Sequence, residues 1–395
     1  MDEYYCSLCG GPFSTQERTK AGPDDPDKDA IAEWSSNEDY YYYDGTKISK
    51  EDMMWLQRMR VIAPYYEERE DGKTYPDGMV LRDGYWISGV GLECCLNEAA
   101  VPYRYQDTLP EDHEELDENT TERGLTVYGE FRNDEPRSEW SYPLHDACLQ
   151  ILEAALEYKQ AQLGIKRIPW NVVHHVLGTH CDASCGVDSC LQLDYEHTSN
   201  EQYWSVQRGQ EEYVSDPVNV RALQDLLSNP PPINTSPSPP LFSRPLMCAG
   251  AATDILSRLP WELLFHLVAY LPTPAVAALR MASRAVAVLR LESSQAFWRS
   301  RVMYAPYVLE ADLKFSTNEG GDWRKVFMML KEGDEGELEE SLGWKNRRRI
   351  WRVCMGLVEE AAGLVIDGAA LADGGDDEEH LTLECSPRLD DTCLC

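Results

Sequence analysis

The sequence predicts a multidomain α+β protein: a mixed N-terminal domain, a proline-rich linker, an all-α helical module and an acidic, disordered C-terminal tail. Three observations predict it. Apolar residues recur at helical spacing between Leu256 and Arg301, in short runs separated by Pro272, Ser283 and Ser293-Ser294. The glycine-bounded stretch Tyr85-Trp86-Ile87-Ser88-Gly89-Val90-Gly91 is rich in β-formers and reads as a strand. Between these regions, Pro230-Pro231-Pro232 and Pro237-Ser238-Pro239-Pro240 mark an extended, semi-rigid connection. The boundaries that follow are an N-terminal α+β domain over 1–227, a Pro/Ser-rich linker over 228–250, a helical module over 251–301, a helical extension over 302–365 and the tail over 366–395.

With 395 residues, 43% of them hydrophobic, the chain can build more than one core. A formal net charge of -33 would repel phosphates, which excludes a broad nucleic-acid surface or an anionic membrane as partner. No apolar run approaches membrane-spanning length; the best stretch, around 259–279, is interrupted by Glu262, His266 and prolines. Met1-Asp2-Glu3 is acidic and no apolar run follows, so no secretory signal is expected. Thirteen cysteines then point to reduced thiols or bound metal in the cytoplasm or nucleus, and not to a disulfide scaffold.

In chain order, Cys6-Ser7-Leu8-Cys9-Gly10 has the form of a zinc knuckle: two thiolates and a glycine that permits the tight turn beneath them. Two cysteines cannot close a tetrahedral site. A second pair, His145 and Cys148, stands at the start of a helix whose apolar face is Leu149, Ile151, Leu152, Ala155, Leu156 and Leu163. Cys6, Cys9, His145 and Cys148 are therefore candidate ligands of one structural zinc; free thiols and a surface histidine are the other reading. Trp55-Leu56, Met59 and Val61-Ile62 predict a helix, Leu125 to Tyr128 a strand, and Asp107 to Glu122 a solvated acidic loop. Tyr40 to Tyr43 is expected to be a half-buried or flexible contact without chemistry. His174, His175, His180, Cys181, Cys185 and Cys190 could form a second metal site or a loop of unpaired thiols. A metalloenzyme built on them has no support from a phosphate loop, a nucleophile elbow or a His-Glu-x-x-His motif. Asp216 to Leu227 reads as a loop leading into a short helix.

The module carries the most specific pattern. Leu259, Leu263, Leu264, Leu267, Val268 and Leu271 form one broad stripe, with Pro260 at its start and Pro272 at its end. Thr273-Pro274 restarts a helix bearing Val276, Leu279 and Met281, and Phe297-Trp298 follows Ser293-Ser294. These short helices hold more apolar surface than they can bury among themselves, which calls for a partner; a helical hairpin inside a larger core is the alternative.

Leu259-Pro260-Trp261-Glu262-Leu263-Leu264, Val268, Tyr270-Leu271-Pro272, Leu279-Arg280 and Phe297-Trp298 resemble an F-box, over about one-eighth of the chain. Met281 to Ala287 departs from the Val-Cys-Lys-x-Trp type of run that many F-boxes carry there. The resemblance implies docking on the Skp-type adaptor of a cullin–RING ubiquitin ligase. Leu259, Pro260, Leu263, Leu264, Leu267, Leu271 and Leu279 are the candidate adaptor contacts, some of which must form the module's own core. Together with Cys6, Cys9 and Gly10, Ser88 to Gly91, Tyr142 to Cys148, Asp216 to Asn219 and Asp322-Trp323-Arg324, the chain resembles a group of fungal F-box-domain proteins with an N-terminal cysteine-containing domain.

Past the module, Asp322 to Phe327 and Asn346 to Trp351 predict two helices. Arg347-Arg348-Arg349, interleaved with Ile350, Trp351 and Val353, reads as the solvated basic face of an amphipathic helix in preference to a nuclear-localisation or nucleic-acid patch. From Asp367 the chain is acidic and glycine-rich, hence expected to be disordered. Cys393-Leu394-Cys395 has the form of a double prenylation signal, but without a polybasic neighbour. The expected function is a non-catalytic, substrate-recruiting subunit of a Skp–cullin–F-box ligase, its partners the Skp-type adaptor, a cullin and an unidentified protein substrate. The alternative is a zinc-stabilised interaction scaffold that assembles no ligase.

Overall fold

The structure, a computed structural model, describes residues 5–31, 42–64, 80–82, 85–88, 90–94, 99–102, 125–126, 141–180, 193, 195, 206, 208–233, 254–316, 320–332 and 337–372. These residues form a largely helical α+β protein. Seven short strands make one antiparallel sheet: β1 (Met59–Pro64), β2 (Val80–Arg82), β3 (Tyr85–Ile87), β4 (Gly91–Cys94), β5 (Ala99–Pro102), β6 (Leu125–Thr126) and β7 (Tyr142–His145). Their order is β2-β3-β1-β4-β5-β6, with β7 pairing β1. The central β1 runs opposite β7 in the register Met59↔His145 to Ile62↔Tyr142.

That strand corrects an expectation. Met59, Val61 and Ile62 were expected on a helix; only α1 (Lys50–Met53), closed by a Ser49–Asp52 capping box, and a 3₁₀ turn over Met54–Gln57 precede the strand. Met59, Val61, Ile62 and Ala63 are all buried, so both faces of β1 are covered and the alternation that marks a strand is absent.

Five further helices, α2 (Asp146–Leu163), α3 (Trp170–Thr179), α4 (Arg221–Ser228), α5 (Trp261–Tyr270) and α6 (Thr273–Ala282), lead to the short α7 (Arg284–Ala287). They are followed by α8 (Gln295–Val302), α9 (Glu310–Leu313), α10 (Trp323–Glu332), α11 (Glu337–Glu340) and α12 (Leu342–Ala372). The helix α2 ends at Gly164, whose φ of 68° is the left-handed stop that glycine supplies. None of the helices among the described residues is long and apolar enough to cross a membrane.

Apolar side chains gather in three cores. The largest joins the N-terminal loop (Leu8, Phe13), β1, α2 and α3 to Ile350, Trp351, Leu357 and Val358 of α12. The final helix thus packs into the same core as the N-terminal region and is no mere extension of the module. It also continues past Asp367 to Ala372, where disorder was expected; residues 373–395, with the cysteines near the C-terminus, lie outside the described residues. A second core joins Leu223 and Leu227 of α4 to Trp323, Val326 and Leu330 of α10 and to Trp344. The third belongs to the helical module: Leu264, Val268, Val276, Val286, Leu291 and Phe297. The proline-rich stretch is described only as far as Ile233.

Candidate metal centre and helical docking face

The N-terminal loop turns back on itself through two backbone bonds, Cys6 N–H to the Gly11 carbonyl at 2.9 Å and Gly10 N–H to the Cys6 carbonyl at 2.8 Å. Gly10 sits at φ 71°, and a Cβ there would stand 3.0 Å from the Tyr195 ring, so both backbone and space require glycine. The loop is stitched to β7 by the Ser7 N–H, which donates to the Pro143 carbonyl at 2.9 Å. From β7 the chain passes directly into α2, with His145 as its N-cap and Cys148 in its first turn. The Ser7–Pro143 backbone bond helps bring two segments more than 130 residues apart to one point.

There Cys6, Cys9, His145 and Cys148 are all buried, and their sulfur and ring-nitrogen atoms all lie within 4.8 Å of one another. His145 Nδ1 is 3.3 Å from Cys9 Sγ and 3.8 Å from Cys148 Sγ. A tetrahedral ion with Zn–S near 2.3 Å and Zn–N near 2.0 Å would set S···N edges at about 3.6 Å and S···S edges at about 3.8 Å. The cluster could hold a metal ion.

The surroundings favour that use. His145 Nε2 lies 3.0 Å from the Pro12 carbonyl; carrying the proton there, the ring donates to Pro12 and turns the Nδ1 lone pair toward the sulfurs. The ring is held between Phe13 and Trp55, at centroid distances of 4.6 and 4.7 Å. Gly11 N–H donates to Cys9 Sγ and His145 N–H to Cys6 Sγ, each at 3.3 Å. The N-terminus of α2 adds its partial positive charge.

Left to themselves, the four side chains redistribute protons. Burial presses the His145 pKa down, but the negative charges of Cys6 and Cys9 outweigh it and push it up to about 10. Burial works to raise Cys9, yet hydrogen bonds from Cys148 and Cys6 and the charge of His145 hold it well below the usual thiol range. Cys148 is driven up by burial and by hydrogen bonding to the other two sulfurs. A divalent cation would replace the shared protons, which is how thiolate sites couple metal to pH.

Of the second candidate cluster, only the histidines fall among the described residues. His174 is buried against the Tyr142 ring, and His180 Nε2 lies 2.8 Å from the Glu360 carboxylate. Cys181, Cys185 and Cys190 lie outside the described residues.

In the helical module, α5 divides its leucines between two faces. Leu264, 4% exposed, and Val268 point into the module's core, whereas Leu263 is 53% exposed and Leu259, Pro260 and Leu267 are exposed beside it. Leu263, Leu267 and Tyr270 share one side at helical spacing. Leu271 and Leu279 are half-buried against the module's core. Leu264 is therefore a core residue, unavailable to a partner. Arg301 fastens the far end of α5: its guanidinium donates to the Val268 and Ala269 carbonyls in the last turn of that helix and to the Leu271 carbonyl just beyond it. Asp254 fastens the near end, accepting from Leu256 N–H, the Ser283 hydroxyl and Ala285 N–H.

The arginine run overturns its expectation. Arg347 is wholly buried, paired with Asp312 at 2.6 Å and donating also to the Pro217, Val218 and Tyr307 carbonyls. Arg349, 2% exposed, donates to the Cys9 carbonyl at 2.8 Å. These side chains are interior struts and not a solvated basic face. Nothing in the local periodicity marks them, because their partners come from segments far away in the chain.

No protein-family model, curated protein or solved structure matches the chain.

Proposed function

We propose that this chain is a non-catalytic recruiting subunit whose helical module docks on the Skp-type adaptor of a cullin-based ubiquitin ligase and presents a protein substrate. The observation that supports this reading is the division of α5: its core face is filled by Leu264 and Val268, while Leu263 and Leu267, with Leu259 just ahead of the helix, form an exposed apolar row. A contiguous row of that kind on a rigid helix is the form in which helix-docking partners supply buried anchors. The ligase's contribution to rate would then be proximity, supplied by holding a substrate near the conjugating enzyme.

The ion we assign to the buried cluster is zinc, in a structural role. Three sulfurs and one imidazole nitrogen suit a borderline-soft, tetrahedral cation, and burial of all four leaves no open position for a substrate. Reduced thiols of this kind fit the cytoplasm or nucleus.

The experiment is co-purification of the intact chain. The wild type should bring down a Skp-type adaptor and a cullin, and Leu263→Asp with Leu267→Asp should lose both while melting like the wild type. Unchanged capture by the double variant removes the reading. One observation favours a second reading, an interaction scaffold without ligase assembly: Met281, where the sequence departs from the usual F-box run, is 90% exposed and could serve a different partner. Target binding that persists without any cullin would select it.

A further inference from the structure

Among the described residues four arginines are buried, and three of them have their charge accounted for. Arg18 pairs with Asp25 at 2.7 Å and Arg347 with Asp312 at 2.6 Å. Arg301 faces the carbonyl end of α5, where the helix carries its negative pole. Arg349 has neither. Its partners are the Cys9 carbonyl at 2.8 Å, the Tyr195 carbonyl at 3.5 Å, the Asn346 amide oxygen at 3.0 and 3.2 Å, and the face of the Tyr213 ring. Among the described residues no carboxylate pairs with it. A buried charge with only neutral partners is costly, and folded proteins avoid it.

The metal cluster supplies what is missing. Three thiols that give up their protons to solvent, one neutral imidazole and a divalent zinc leave one net negative charge in a dry core. Arg349 grips the carbonyl of one of the ligand residues. Asn346 locks it there, donating its own amide to the Tyr213 and Ser215 carbonyls at 3.2 and 2.7 Å.

We propose that Arg349 is the counter-charge and positioning residue of the zinc cluster, so that the C-terminal helix α12 stabilises the anionic metal–thiolate centre formed by the N-terminal loop and β7–α2. Through it, loading of the metal and docking of α12 become one equilibrium. This inference rests on the zinc reading above.

The test is zinc affinity of the full chain, measured by competition with a chromophoric chelator. Arg349→Gln keeps a donor for the Cys9 carbonyl and removes the charge; Arg349→Lys keeps the charge. The Gln chain should bind zinc about 10- to 100-fold more weakly, the range typical of groups that support metal ligands, and the Lys chain should stay close to the wild type. Equal weakening in both variants, or no weakening in the Gln chain, overturns the proposal while leaving the zinc reading in place. A wild-type chain that takes up no zinc removes both. Should the Gln chain fail to fold, the Lys chain decides: a folded, zinc-loaded protein upholds the counter-charge, and loss of zinc from it overturns it.

Discussion

Arg347 and Asp312 meet at 2.6 Å with both side chains sealed from water, and the same carboxylate accepts the Leu309 N–H at 2.8 Å. Arg347 sits in the first turns of α12 and Asp312 in α9, so this pair joins the final helix to the segment that follows the module. Removing one partner leaves an uncompensated buried charge. Asp312→Ala should therefore destabilise the protein by about 3–5 kcal/mol, and adding Arg347→Met should recover part of that loss. Denaturant midpoints of the two single variants and the double variant measure it; additive losses would contradict the pairing.

Chelation should act on the fold and not only on a surface. Three of the four proposed ligands lie in the largest core beside Leu8, Leu144 and Leu152, and the fourth, His145, is buried among them. Structural zinc sites contribute on the order of 10–16 kcal/mol in small domains. A strong chelator should release one zinc per chain together with loss of the near-ultraviolet signal of Trp55 and Trp351. Cys148→Ser should abolish stoichiometric zinc, whereas Cys354→Ser, outside the ligand set, should retain it.

Neighbouring leucines of α5 should behave oppositely. Leu264→Ala removes a core side chain and should cost about 2–5 kcal/mol. Leu263→Ala, at an exposed position, should change stability by less than about 0.5 kcal/mol. Thermal melts separate the two, and similar melts would mean the face assignment is inverted.

Acid should loosen the N-terminal segment through Asp25. Arg18 donates to both its oxygens at 2.7 and 2.8 Å, and the Ala21 and Asp27 N–H groups add bonds, which together hold the carboxyl well below its usual range. A carboxylate depressed in the folded state contributes its stability above its unfolded pKa of about 3.9 and loses it as pH falls through the folded value. Asp25→Asn should therefore be less stable than wild type at neutral pH, and the gap should close below about pH 4. A gap that widens on acidification would refute the sign.

The quartet Cys6, Cys9, His145 and Cys148 was legible because each half carries its own local signature: Cys6-x-x-Cys9-Gly10 announces a turn, and His145-x-x-Cys148 places two donors one turn apart. What joins them is the backbone bond from Ser7 N–H to the Pro143 carbonyl, which no spacing encodes. The leucine stripe of α5 was legible as a stripe, but it covers about half the helix, so it could not say that Leu264 faces inward and Leu263 outward. The arginines were misread for a related reason. Arg347 looks like a surface cation until Asp312, Pro217 and Val218 arrive from other elements. The strand over Met59–Pro64 was lost to burial on both faces, which erases its alternation.

The placement of Trp351 and Leu357 in the core that encloses Cys6 sets an order of events during synthesis. The Cys6–Cys9 pair is synthesised some 340 residues before the walls that will seal it. At roughly 5–20 residues per second the nascent chain carries an unsealed cysteine pair for about twenty seconds to over a minute. Throughout that interval Cys6 and Cys9 lack the Trp351 and Leu357 side chains that enclose them in the folded protein, so the pair is sealed only after α12 has been synthesised.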